Sequence, residues 1–228
     1  MTVPELPAAV LWDMDGTLVD TEPFWFAAET ELVARFGGTW THEQALSLVG
    51  SGLRDGARVL QDNGVRLTVD EIVSWQTSYV IERLVPPLPW RPGALALLSG
   101  LREAGVPTAL VTMSIRRMAE AVAAALPFGG FDVVVAGDDV ERPKPDPQAY
   151  LRAAELLGVD VTACVAIEDS PPGLAAAVAS GAATIGVPHQ ATLPEGERWR
   201  LWPTLEGRGL EDLCAVADEL RPLREARP

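Results

Sequence analysis

Between residues 94 and 187 the chain repeats one unit, a helical stretch followed by a short unbroken run of apolar residues. The runs are "PTALVTM" (107–113), "FDVVVAG" (131–137), "ACVAIED" (163–169) and "ATIGV" (183–187). An apolar residue at every position, rather than at alternate ones, marks a strand buried on both faces. Strands buried on both faces and separated by helices build a parallel sheet covered on each side. The intervening helices carry their own punctuation. "GALALLSGLREAG" ends at Gly105, "SIRRMAEAVAAAL" offers Ser114 as N-cap, and "DPQAYLRAAELLG" offers Asp146 as N-cap with Pro147 at the first helical position. The run Ala8–Trp12 has the same apolar character and must join this sheet.

From Glu22 to about Pro86 no strand-like run occurs. "EPFWFAAETELVARFGG" predicts a helix stopped by Gly37 and Gly38, "THEQALSLVG" a short helix capped by Thr41, and two more helices follow, over 53–63 and 68–85. "VPPLPWRPG" (85–93) is stiff and proline-rich, as a linker would be. The fold class expected is therefore α/β, a three-layer parallel-sheet core with an inserted α-helical cap. Residues 1–18 and 87–228 form the core and 19–86 the cap. Residues 188–209 show no assignable element, and "LEDLCAVADEL" predicts a final helix.

Composition narrows the function. A net charge of −14 argues against nucleic acid or an anionic membrane as partner. No apolar run reaches the roughly 18 residues a membrane span needs, and the N-terminus lacks the pattern of a signal peptide. Cys164 and Cys214 are too few for a disulfide framework or a zinc site. A cytoplasmic protein, a monomer or small homo-oligomer, is the expectation.

Loops after parallel strands gather at one sheet edge, where ligands bind. Four of these loops carry unusual polar residues. In "LWDMDGTLVD", Asp13 and Asp15 follow the first strand. Residues i and i+2 of an extended segment point the same way, so these carboxylates either repel or share a cation; alternatively, "DG" is simply a turn. Oxygen-only ligands suit Mg²⁺ better than zinc, and Asp169 could supply a third oxygen. A carboxylate so held can attack phosphorus, and its neighbour can move the proton. Asp13, nearer the strand, is the better nucleophile and Asp15 the better proton carrier, while Gly16 lets backbone approach the phosphoryl oxygens. Lys144, in "RPKPDP", is the chain's one lysine against seventeen arginines. That choice suggests a place where a compact ammonium is needed and a planar guanidinium is not. Thr112 and Ser114 offer hydroxyls for an anion, although Ser114 serves equally as a cap. Glu168 and Asp169 are consecutive acids at a strand end, more than capping requires.

The stretches "DMDGTLVDTEP" (13–23), "VTMS" (111–114), "RPKPDP" (142–147) and "IEDS" (167–170), in this order, resemble the motifs of the haloacid dehalogenase superfamily. The resemblance is to its phosphatase branch with a helical cap, similar to phosphoglycolate phosphatases and β-phosphoglucomutases, and covers nearly the whole chain. It implies a Rossmann-like core, a Mg²⁺ cofactor and an aspartyl-phosphate intermediate. By position, Asp13 resembles the nucleophile and Asp15 the general acid/base. Asp13, the main-chain carbonyl of Asp15 and Asp169 resemble the metal ligands, with Glu168 auxiliary. Thr112 and Lys144 resemble the phosphoryl-binding pair, with Gly16 and Met113 beside them. In the cap, "LVGSGLRDG" resembles the segment that faces substrate, which makes Gly50 and Arg54 candidates. Trp25 stands where sugar-phosphate mutases of this branch often carry histidine. The resemblance thus implies an enzyme, a phosphatase acting on a small phosphorylated metabolite such as a sugar, polyol or hydroxy-acid phosphate. A β-phosphoglucomutase-like phosphotransferase and a non-catalytic phosphate-binding relative are the alternatives.

Overall fold

A computed structural model describes residues 5–225; the outermost ends of the expected core segments, 1–4 and 226–228, lie outside it. The strands are β1 (Val10–Trp12), β2 (Thr108–Val111), β3 (Val133–Val135), β4 (Val165–Glu168), β5 (Ala183–Gly186) and β6 (Trp199–Leu201). They form one parallel sheet in the order β3-β2-β1-β4-β5-β6. Leu11 of β1 lies level with Ala109 of β2 and Ala166 of β4, so β1 is central and hydrogen-bonded on both sides. The chain runs outward from β1 to β3, then returns to β4 on the other side. This reversal opens a crevice at the carboxyl ends of β1 and β4.

Alternate residues of each strand face opposite layers. Val10, Trp12, Leu110, Val165 and Ile167 pack against α5 (Ala94–Glu103), α6 (Arg116–Ala124) and α9 (Leu210–Glu225). Leu11, Ala109, Val111 and Ala166 pack against α7 (Gln148–Leu157) and α8 (Pro171–Ser180). That second layer is rich in alanine, with Ala149, Ala153, Ala176 and Ala177 all fully buried, which brings these helices close to the sheet. Tyr150 is the large exception, and it reaches the site described below.

Between β1 and β2 stand α1 (Glu22–Arg35), α2 (His42–Leu46), α3 (Leu53–Asp62) and α4 (Val69–Ile81). They bury a core of their own around Leu32, Val33, Leu60 and Ile72. Thr41 and Thr68 each form a reciprocal capping box, with Gln44 and Glu71. The chain leaves and re-enters the sheet layer side by side. Asp20 N–H donates to Pro89 O (2.8 Å) and Arg91 N–H to Leu18 O (2.9 Å), with Val19 and Trp90 bridged antiparallel between them. At the opposite end, the loop at Gly50 rests on α8. A Cβ on Gly50, whose φ is +74°, would stand 2.3 Å from Ser170 Oγ.

Several expected boundaries move. Helix α4 stops at Ile81 rather than near Val85, and the chain leaves it through a turn in which the Leu84 N–H still donates to Val80 O (3.1 Å). Helix α6 is capped by Ile115, not Ser114. Pro147 holds the cap position of α7, although Asp146 Oδ1 still accepts the Gln148 N–H (2.9 Å). Strand β6 lies inside the stretch that had no assignment; it is three half-buried residues at the sheet edge, too short and too polar to read as an apolar run. Among the described residues no helix is long and apolar enough to cross a membrane.

Candidate active site

Asp13 is the first residue beyond β1, and its N–H continues the ladder to Ile167 O (3.0 Å). This fixes its carboxylate at the mouth of the crevice. Lys144 arrives from the loop after β3, its side chain 1% exposed. Its ammonium donates to Asp13 Oδ1 (2.6 Å), to Glu168 Oε1 (2.6 Å) and to Val111 O (2.9 Å). All three N–H bonds of the ammonium are thereby used. The Tyr150 hydroxyl donates to the same Glu168 oxygen at 2.5 Å, and Ser170 and the Asp169 N–H bond the other oxygen, both at 3.2 Å.

Asp169 follows β4. Its Oδ1 accepts from Thr17 (3.3 Å), while its Oδ2 is buried with no partner. Oxygens of Asp13, Glu168 and Asp169 all lie within 4.8 Å of one another. Burial, then Glu168, push the Asp13 carboxyl up to about 8 despite Lys144, and burial, then Asp13, push Asp169 well above the carboxylate range. Burial disfavours the Lys144 ammonium, yet Asp13 and Glu168 outweigh it and hold the group charged. Three acids facing one ammonium, with an orphaned buried oxygen among them, lack a positive charge. An all-oxygen donor set of this kind fits a hard divalent cation.

The expected clash between Asp13 and Asp15 is corrected. Asp15 is the smallest of the influences that raise Asp13, because its carboxylate turns to a separate set of neutral donors. Oδ1 accepts from Thr21 Oγ1 (2.6 Å) and Trp25 Nε1 (3.1 Å); Oδ2 accepts from Ser114 Oγ (2.8 Å) and Thr112 Oγ1 (3.1 Å). Ser114 is available for this because α6 begins two residues later. The side chain of Asp15 is therefore not in the acid cluster, which leaves only its main chain for the ligand role that the resemblance implies.

Gly16 has φ +83°, and a Cβ there would stand 2.1 Å from Asp169 Oδ2. Both the turn and the close approach of the acid require glycine. Asp13, Asp15, Thr112, Met113, Lys144 and Asp169 line one cavity with Gly50 of the inserted helices. Met113 also accepts the Lys144 N–H on sulfur (3.3 Å). Arg54 is not among them: its side chain is 63% exposed and pairs with Asp70 (2.5 Å) on the surface. It points there because α3 turns its polar face outward.

Sequence reasoning missed Trp25 as a partner of Asp15, Tyr150 as a partner of Glu168, and three polar residues on the inserted side of the cavity, Glu22, Glu29 and Gln76. The one available signal for the last group was polar residues on otherwise apolar helix faces. Glu29 is buried and accepts from Trp40 Nε1 (3.0 Å). Burial raises it from the ordinary 4.5 to about 7, with the Trp40 bond working the other way. The native protein then holds a proton there that the unfolded chain releases. Stability accordingly falls as pH rises from about 4.5 to about 7 and stays down above. Glu29→Gln keeps an acceptor for Trp40 without the charge. Thermal melts across that range should show the variant more stable than wild type by roughly 2–3 kcal/mol near pH 8, the two converging near pH 4.5; parallel curves would contradict the account.

Comparison with known proteins places this geometry. Residues 7–181 match the model of the haloacid dehalogenase-like hydrolases. A bifunctional riboflavin kinase/FMN phosphatase of Arabidopsis thaliana is 32% identical over 187 residues, 81% of this chain and 49% of that one, so the chain spans about half its length. Hexitol phosphatase A of Escherichia coli (strain K12) is 33% identical over 191 residues, covering 81% of this chain and 84% of that one. The crystal structure of a mutant CbbY from Rhodobacter sphaeroides in complex with xylulose-(1,5)-bisphosphate superposes with a TM-score of 0.82 at 28% identity. It covers 92% of this chain and 99% of that one.

Proposed function

The chain belongs to the haloacid dehalogenase-like hydrolases, and from that premise we propose a magnesium-dependent phosphatase that hydrolyses a small phosphomonoester through a phosphoryl group carried on Asp13. One observation carries the reading: Lys144 draws Asp13 and Glu168 together beside the unpartnered oxygen of Asp169. Asp13, Asp169 and the main-chain carbonyl of Asp15, with Glu168 beside them, would hold Mg²⁺. Bound there, the ion would offset the carboxylates and draw charge from the phosphoryl oxygens.

The chain's own residues divide the work. An oxygen of Asp13 bonds to phosphorus as the ester P–O bond breaks, and Asp15 gives its proton to the departing alkoxide. Asp15, now a carboxylate, takes a proton from a water whose oxygen bonds to phosphorus. The P–O bond to Asp13 then breaks, releasing inorganic phosphate and restoring both acids. The partners of Asp15 suit both of its states. Trp25 N–H can only donate, so Oδ1 stays an acceptor and the proton belongs on Oδ2. There the hydroxyls of Thr112 and Ser114 can rotate from donor to acceptor. Lys144 keeps its charge throughout and neutralises the phosphoryl oxygens near Asp13. Residues 19–86 act as a cap that excludes water from the cavity. Cys164 and Cys214, both buried in the core, are in keeping with a reducing compartment such as the cytoplasm.

Return of the phosphoryl group to a sugar is disfavoured because Trp25, committed to Asp15, offers no second acid or base. The reading is tested by hydrolysis of p-nitrophenyl phosphate. Turnover should require Mg²⁺, vanish with EDTA and return with excess Mg²⁺, and β-glucose 1-phosphate should yield phosphate rather than glucose 6-phosphate. Turnover indifferent to EDTA would defeat the proposal.

A further inference from the structure

The part of the cavity lining that α1 and α4 contribute carries Glu22, Glu29 and Gln76. These side chains are 5%, 5% and 3% exposed. Among the described residues, Glu22 and Gln76 have no hydrogen-bond partner, and Glu29 uses only one oxygen, on Trp40. Their unpaired polar atoms are not among those sealed from solvent, so they open onto the cavity. Three side chains with open capacity around one cavity need partners from whatever enters it.

Resting on the phosphatase reading above, we infer that Glu29 and Gln76, with Glu22, select a phosphate monoester whose remainder is uncharged and rich in hydroxyls, and reject bisphosphates and hydroxy-acid phosphates. Carboxyl oxygens accept, and an amide both donates and accepts. A hydroxyl group answers both demands, whereas an ammonium could not satisfy the donors of Gln76. Rejection follows from charge. Among the described residues, Lys144 is the only cationic side chain that lines the cavity, and its three N–H bonds are already taken. A second phosphate or a carboxylate held beside Glu22 and Glu29 would meet two carboxyl groups and, among the described residues lining this cavity, no further cationic side chain. Burial, reinforced at Glu22 by Asp15, makes both carboxyls hold protons more tightly than usual, but neither protonation state supplies a positive charge. The bisphosphate seen with the CbbY variant is therefore the kind of ligand this wall turns away.

The test compares kcat/KM for sorbitol 6-phosphate, 2-phosphoglycolate, fructose 1,6-bisphosphate and p-nitrophenyl phosphate, with Mg²⁺ present. Sorbitol 6-phosphate should exceed both anionic substrates at least a hundredfold. Gln76→Leu should lower the ratio of sorbitol 6-phosphate to p-nitrophenyl phosphate at least tenfold. Gln76→Arg, which adds a cation, should raise the ratio of bisphosphate to sorbitol 6-phosphate at least tenfold. Wild-type preference for either anionic substrate would overturn the inference while leaving the phosphatase reading intact. Absence of turnover with all four would strike at that reading first.

Discussion

Lys144→Arg is expected to lower kcat/KM for p-nitrophenyl phosphate by about a thousandfold, although it preserves the charge. The ammonium sits within 2.6 Å of two carboxylates and 2.9 Å of the Val111 carbonyl, and its three bonds diverge from one atom. A guanidinium spreads its donors in a plane and is larger, so it cannot meet all three acceptors from the same point. Tyr150 stands beside it, with its ring centre 5.1 Å from the nitrogen, and the lysine side chain is 1% exposed. Inserting the larger group into a full interior should also lower stability, by about 1–3 kcal/mol. Steady-state kinetics together with thermal melts check both statements. A variant with near wild-type rates would mean that charge alone is needed and that the lone lysine has no special geometry.

Asp13→Asn should lower turnover by at least about 10⁴-fold, since it replaces the carboxylate to which phosphorus bonds with an amide, a poor nucleophile. The fold should survive. Lys144 keeps Glu168 and Val111 O as acceptors, and one of three crowded acids can no longer ionise. Without divalent cations the variant should therefore melt no lower than wild type. MgCl₂ should raise the wild-type melting temperature, because a ligand of the native state alone stabilises it, and raise that of the variant less. Turnover within tenfold of wild type would remove Asp13 from the chemistry, whatever the melts show.

The parts of this site that depend on backbone position were legible in the sequence, and those that depend on where a side chain points were not. Each strand that brings an acid or a hydroxyl to the crevice is an unbroken apolar run, and Asp13, Thr112 and Asp169 each follow directly on its last residue. Neither the pairing of Asp15 with Ser114, 99 residues away, nor that of Tyr150 with Glu168 leaves a trace in local pattern. Tyr150 reads as an ordinary core aromatic of α7, and only its hydroxyl, aimed at a carboxylate, gives it a second use. Glu29 and Gln76 read as defects in apolar stripes until α1 and α4 are set over the crevice. Strand β6 was invisible for a different reason: an edge strand of three residues needs no continuous apolar sequence, since one side of it faces solvent.

The paired legs at Leu18–Asp20 and Pro89–Arg91 have a consequence for how such a molecule can change over time. Because they lie against each other, whatever polypeptide is spliced between them begins and ends at nearly one point, and the sheet closes the same way beneath it. A new insert could be grafted in without moving a strand or any acid beyond one. On the reading proposed above, the choice of metabolite could then change by exchange of the insert, so long as the bonds that Thr21 and Trp25 make to Asp15 are kept.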